Sequence, residues 1–337
     1  MSHISTRTSL AAAAAITFAA LLASNATGGA ASAAPQPTTN HCRTPDRSQV
    51  RIPGGTFLMG STQFHEEEGP VHPATVAPFW IDRYDVTNAE FAKFVAATGY
   101  LTDAERAPDP KDYPEVPAKK LTAGAAVFTP PKDSQPPKED LDWWHFEPHA
   151  DWRRPYGAKS SIVGHDNDPV IQVSYRDALA YAHWAGRELP TEEEYEYAAR
   201  GGLSGKTYAW GDELRPHGQW MANVWQGRFP SKNTAQDGYT GIAPVGCFPP
   251  NGYGLYDMVG NVWKWTSSLY SHEESGHTAA SRVVRTIKGG SFLCSVDYCQ
   301  RFRPAARQPQ ESGFSSNHLG FRTVSHRDPG AAGEVHD

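Results

Sequence analysis

The chain has 337 residues, with Lys+Arg 31 against Asp+Glu 37 and a formal net charge of −6. Its 30 Gly and 27 Pro exceed the usual share of roughly 12%, which excludes long helical bundles and coiled coils, while 10 Trp, 14 Tyr and 14 Phe exclude a disordered polymer. The mild acidity carries no electrostatic footprint for nucleic acid, and four Cys are too sparse for a disulfide-built scaffold.

Arg7 precedes an apolar run from Leu10 to Leu22, and Ala31-Ser32-Ala33 follows a Gly/Ala/Ser stretch. This is the layout of a secretory signal peptide over residues 1–33 with an A-x-A cleavage site. The run is shorter than the roughly 20 residues that span a bilayer. The mature chain is therefore expected to be exported, with no membrane association after cleavage, into a compartment that permits disulfides.

Residues 34–48 are polar and Pro-containing and read as a flexible tail, as do 327–337 at the other end. Gln49 to Met59 predicts two short strands around a Pro-Gly-Gly turn. A helix is predicted after Thr87, which forms a capping-box pair with Glu90 and leads into the apolar face of Phe91, Phe94 and Val95; Gly99 ends it. Residues 107–140 are rich in Pro and Lys and read as a long loop with little core of its own. A second helix is expected from about Tyr175 to Trp184, and a third from Thr191, paired with Glu194, to Arg200. Beyond Gly201 no helical period appears. The fold class is α+β: a single large domain over 49–326, rich in loops and low in regular secondary structure.

The segment Gly289 to Arg307, GGSFLCSVDYCQRFRPAAR, is the most informative. Cys294 and Cys299 stand four residues apart within it. By spacing alone the pair reads as a local disulfide, a redox pair or a soft-metal site, since two thiolates suit Cu(I). His145, His149 and Asp151 spell an H-x3-H-x-acid pattern. Pro148 denies it the helix that would bring the two His together, so it reads as a loop with surface histidines.

The words IPGGTFLMGS (52–61), YDVTNAEFAKFV (84–95), PVIQVSYRDALAYAHWAGRELPTEEEYEYAARGG (169–202), NGYGLYDMVGNVWKW (251–265), GGSFLCSVDYCQRFRPAAR (289–307) and LGFR (319–322) together resemble the formylglycine-generating enzymes, or sulfatase-modifying factors. The resemblance covers residues 49–324 in the family's order. It implies that fold, within the C-type-lectin-like superfamily, and a copper-dependent, O2-using oxidation. A cysteine in a C-x-P-x-R motif of an unfolded sulfatase becomes Cα-formylglycine. Carried over by position, Cys294 and Cys299 bind Cu(I), with Cys299 the more essential redox member. Ser291, Trp263 and Tyr298 line the pocket, and Arg301 and Arg303 make structural ion pairs outside the site. The expected partner is the unfolded sulfatase, and the protein is expected to be a monomer.

The resemblance also implies a calcium site, with side-chain oxygens from Asn223 and Asp237 and backbone carbonyls from Val224 and Tyr239. A second family calcium site, at Asp257, Gly260 and Val262, carries Lys264 where the family has Glu. An ammonium repels Ca2+, so Lys264 is expected to occupy or abolish that site. Cys42 and Cys247 stand either as a disulfide or as two single thiols. The competing function is a non-catalytic, lectin-like binding module, or a differently catalytic exported member, of the same fold. The cysteine pair in its sequence context discriminates, because binding-only members tend to lack it.

Overall fold

The structure, a computed structural model, describes residues 42–329 except 47, 112, 113, 115, 132–142 and 271–282, all within the compact unit Pro37–Asp337. The expected signal peptide, residues 34–41 of the tail and residues 330–337 lie outside the described residues. Among those described, no helix is long and apolar enough to cross a membrane.

The chain opens with β1 (Gln49–Ile52), β2 (Gly55–Met59), β3 (His72–Val76) and β4 (Phe79–Asp82). The Pro-Gly-Gly turn does not fold β1 onto β2. Instead β1 pairs antiparallel with β4, and β2 with β3. The apolar alternation of Ile52, Phe79 and Ile81 explains the choice, because this pairing buries all three completely. Each such burial contributes about 1.5–3 kcal/mol.

Three α-helices follow among the described residues: α1 (Asn88–Thr98), α2 (Tyr175–Trp184) and α3 (Glu192–Arg200). Each starts on a complete capping box, from Thr87 and Glu90, Ser174 and Asp177, and Thr191 and Glu194. Both α1 and α3 stop on a left-handed glycine, Gly99 and Gly201. On α3, Tyr195, Ala198 and Ala199 pack on Ile52, Phe79, Ile81, Leu255 and Met258.

The Pro- and Lys-rich segment departs from expectation. Within it β5 (Gly124–Phe128) pairs with β6 (Trp144–Pro148), and Ala125 and Val127 form a small core of their own with Ala104 and Ala150. The surrounding prolines mask this strand in the sequence. His145 accordingly lies on a strand rather than a loop, and no metal-holding group of three ligands occurs among the described residues.

The last elements are β7 (Trp263–Leu269), β8 (Val284–Lys288), β9 (Arg307–Glu311), β10 (Leu319–Gly320) and β11 (Val324–Ser325). They build the sheet β10-β7-β8-β9, and β11 joins β4 as its outer neighbour. A buried ion network ties α3 to this sheet: Lys288 Nζ reaches Glu196 at 2.9 Å and Glu192 at 3.4 Å, and Arg307 Nε reaches Glu192 at 2.7 Å. At the N-terminal end Cys42 is disulfide-bonded to Cys247, and Arg43 N donates to Gly246 O at 3.2 Å, so the described part of 34–48 is anchored.

Candidate active site

The site begins where β8 ends. Gly289 and Gly290 turn the chain with φ of 90° and 72°. A Cβ on Gly290 would stand 2.5 Å from the Arg301 carbonyl oxygen, and one on Gly289 2.6 Å from the Met258 oxygen. Only glycine permits that approach. It delivers Ser291 fully buried, and the Ser291 carbonyl accepts from Cys294 N at 2.9 Å. Two neighbouring segments hold the loop: Asn261 O accepts from Phe292 N at 2.9 Å, and Cys294 O accepts from Trp225 N at 2.9 Å.

Cys294 and Cys299 are both free thiols, and they are hydrogen-bonded to each other. Burial and the contact with Cys299 push the Cys294 thiol up. The hydrogen bond from Cys294, joined by the backbone N–H groups of Arg301 and Ser295, pulls Cys299 down. Cys299 is thus the member that ionises first, with the Cys294 thiol donating to it.

Both cysteines lie in a cavity of about 510 Å³, which Ser291, Trp263 and Tyr298 also line. The five residues that the resemblance assigned to the catalytic pocket therefore line one cavity. Trp263 N donates to the His318 carbonyl at 2.8 Å, which sets the inner wall. Tyr298 is half exposed and stacks on Phe229 at 4.2 Å, with Trp143 edge-on at 5.9 Å, forming an aromatic rim.

The pocket also contains residues that sequence reasoning left out: His65, His318, Gln308, Gln310 and Arg301. His318 is held against Trp144 at 4.7 Å with Nδ1 3.0 Å from Ser316 Oγ, and burial drives it down to about 3, so the imidazole is neutral. Its place beside LGFR was its one visible signal. Arg301 pairs with Glu67 and Arg303 with Glu68, the latter pair fully buried.

The donor set fits a soft monovalent metal: two adjoining thiols in an open cavity, with no carboxylate on its wall among the described residues. The candidate calcium residues also converge. Asp237 accepts from Val224 N and Tyr239 N at 3.0 Å each, and burial raises its carboxyl. Its hydrogen-bond partners are neutral N–H groups, and among the described residues no cationic side chain is paired with it, which fits a hard divalent ion. Asn223 Nδ2 donates to Gly241 O at 2.9 Å and to Asn261 Oδ1 at 3.0 Å, which fixes the orientation of its amide.

The second set does not fit a metal. Lys264 is fully buried and its ammonium donates to the carbonyls of Asp257 at 2.5 Å and Gly260 at 2.9 Å, with Asp85 Oδ2 at 3.6 Å. Two of the oxygens a cation would need are already held by a side-chain cation. Burial lowers Lys264 to about 8 and raises Asp257 to about 6.

Fold and site together define a loop-built α+β domain that presents a reduced thiol pair at the floor of an open pocket, the architecture of a sulfatase-modifying factor. Residues 34–327 match the Sulfatase-modifying factor enzyme 1-like domain. The chain is 50% identical to the formylglycine-generating enzyme of Mycobacterium tuberculosis, over 82% of this chain and 97% of that protein. It is 40% identical to the inactive Cα-formylglycine-generating enzyme 2 of Bos taurus, over 82% of this chain and 88% of that protein. Among solved structures, PvdO from Pseudomonas aeruginosa superposes with a TM-score of 0.54 at 25% identity, covering 82% of this chain and 93% of that one. The chain belongs to the formylglycine-generating enzyme family.

Proposed function

We propose that the mature chain is an exported oxidase that converts a cysteine in a C-x-P-x-R segment of an unfolded sulfatase to Cα-formylglycine, using Cu(I) and O2. The observation that carries this reading is the thiol pair: Cys294 and Cys299 are reduced, touch each other and open onto the pocket, in a chain whose relatives include an enzyme of this name. The family also contains an inactive member at 40% identity, so family membership alone does not decide between catalysis and binding. A binding module has no need of two free thiols facing a cavity.

In this reading Cys294 and Cys299 hold the metal, and bound copper supplies the reaction with O2. The rest falls to the chain. Both thiol protons would leave on metal entry, that of Cys299, the more readily ionised of the two, before that of Cys294. Neutral His318 and the Ser291 hydroxyl are placed to hydrogen-bond an incoming thiol or O2 without adding charge. Trp263 and the Trp143–Phe229–Tyr298 rim keep water from the reacting carbon. An extended peptide suits an open cavity of this size. The Asn223–Asp237 loop would hold calcium next to Trp225, whose N–H fixes Cys294, so that ion would stiffen the thiol site.

The test is incubation of the Cu(I)-loaded mature protein with a C-x-P-x-R peptide in air. Mass spectrometry should find sulfur and two hydrogens replaced by one oxygen at the cysteine, and no change with Cys299→Ser. No conversion by the copper-replete parent would sink the catalytic reading.

A further inference from the structure

We infer that His65 is a positioning residue for Cys299, and that the strap of residues 64–68 holds the outer thiol of the pair in place. Cys294 is fixed by a turn bond from its N–H to Ser291 O and by Trp225 N on its carbonyl, but Cys299 sits at the end of a short loop with no regular structure. That loop shows Val296 and Tyr298 to solvent and closes through Gln300 N to Ser295 O at 2.9 Å. It then passes through Gln300 at φ 47°, a left-handed conformation that a residue with a Cβ holds only when its surroundings enforce it.

The enforcement comes from far away in the chain. His65 Nε2 donates to the Cys299 carbonyl at 2.6 Å, and Arg303 Nε donates to the next carbonyl, Gln300 O, at 2.7 Å. Two successive carbonyl groups on either side of the left-handed turn are therefore pinned. The strap is itself seated by Glu67 on Arg301, by Glu68 on Arg303, and by the Phe64 ring 3.7 Å from the Arg303 guanidinium. Glu66–Glu68 form a single 3-10 turn with His65 at its N-cap, so the imidazole leaves a rigid base.

Pinning the peptide unit between residues 299 and 300 has a direct effect on the thiol. The Arg301 N–H that donates to Cys299 Sγ belongs to the next peptide unit of the same turn, the one whose Gln300 carbonyl Arg303 holds, and it points at the sulfur only while both units keep their orientation. If Gln300 relaxes to the right-handed region, the Cys299 carbonyl swings away, the Arg301 N–H leaves the sulfur, and the two thiols lose their common orientation. His65 also lines the pocket, so the same ring forms part of its wall.

The experiment compares the parent with His65→Phe, which keeps a ring but lacks the donor, and His65→Gln, whose amide N–H reaches the place of Nε2. His65→Ala replaces the Phe variant if the larger ring prevents folding. The first readout needs no metal: amide hydrogen exchange over residues 295–303. It should speed up about tenfold in His65→Phe, with melting temperature and exchange elsewhere unchanged, and return toward the parent in His65→Gln. The second readout, which alone rests on the copper reading, is Cu(I) affinity by competition with bicinchoninate. It should weaken about tenfold in His65→Phe and recover in His65→Gln. Unchanged exchange in the Phe variant, or a Gln variant that behaves like it, overturns the clamp. A loosened loop with unaltered Cu(I) affinity overturns the positioning role. A parent that binds no Cu(I) ends the copper reading, and the exchange data then decide the clamp by themselves.

Discussion

Replacing Lys264 with methionine keeps the length and bulk of the side chain but removes the charge, and the structure sets what that should cost. The ammonium is the donor to the carbonyls of Asp257 and Gly260 and lies 3.6 Å from Asp85 Oδ2, all without solvent. Its loss orphans two buried carbonyls and leaves Arg322 alone to balance Asp85 and Asp257, of which it contacts Asp85 at 2.7 Å. Removing one partner of a buried pair costs about 3–5 kcal/mol. In a domain of this size each kcal/mol moves the melting temperature by about 2–4 °C, so Lys264→Met should melt roughly 6–20 °C lower. Lys264→Glu is the sharper variant. It should be less stable than Lys264→Met in chelator, yet gain about 2.7 kcal/mol at a hundredfold excess of calcium over its dissociation constant, and bind a second calcium per chain. Differential scanning fluorimetry with EGTA or CaCl2, together with metal analysis, reads both effects. A Lys264→Met protein melting within about 1 °C of the parent would refute the claim that the ammonium acts as an internal cation. A Lys264→Glu protein indifferent to calcium would refute the claim that it stands in a cation site.

Arg303→Met should cost about 3–5 kcal/mol by chemical denaturation, since it strands the buried Glu68 carboxylate and frees the Gln300 carbonyl. EGTA should lower the melting temperature of the parent but not of Asp237→Asn, in which the carboxylate proposed to hold calcium is gone. Burial and the neighbouring Asp103 raise the Asp177 carboxyl from its ordinary 3.8 to about 7. Its contribution to stability is therefore complete below about pH 4 and lost as pH rises through about 7, at no more than about 1.4 kcal/mol per pH unit. Thermal melts from pH 5 to 8 should show Asp177→Asn gaining on the parent with rising pH; parallel curves would rule this out.

The helices were legible because their signals are local. Thr87 with Glu90 and Thr191 with Glu194 lie within one turn of each other, and Gly99 and Gly201 end their helices in the left-handed region that glycine favours. Strand partners were not legible, because β1 reaches past β2 to β4 and the reason is a shared interior rather than any neighbour in sequence. In the pocket, Ser291, Cys294, Tyr298 and Cys299 could be found because they lie in one contiguous stretch that matches a family motif; the spacing of the two cysteines alone left their role open. His65 could not: it meets Cys299 across 234 positions, and nothing in a surface-like run of Phe-His-Glu-Glu-Glu marks its ring as facing inward. Val127 escaped notice for the opposite reason, since prolines on both sides give a core strand the composition of a loop.

The four cysteines make synthesis of this protein a contest between two ring closures. The bond in the finished structure joins Cys42 to Cys247 across 205 positions, while the pair left free in it is almost adjacent. For a flexible chain, closing the long loop rather than the short one costs about 3 kcal/mol more, so an oxidant acting on the nascent polypeptide favours the wrong ring by more than a hundredfold. The observed pattern emerges only once folding has tied the Cys294 carbonyl to Trp225 N and brought Cys42 up to Cys247. Refolding in air before that point should yield a product locked at its own pocket, with Cys42 and Cys247 reactive toward alkylating agents and the pair at 294 and 299 not.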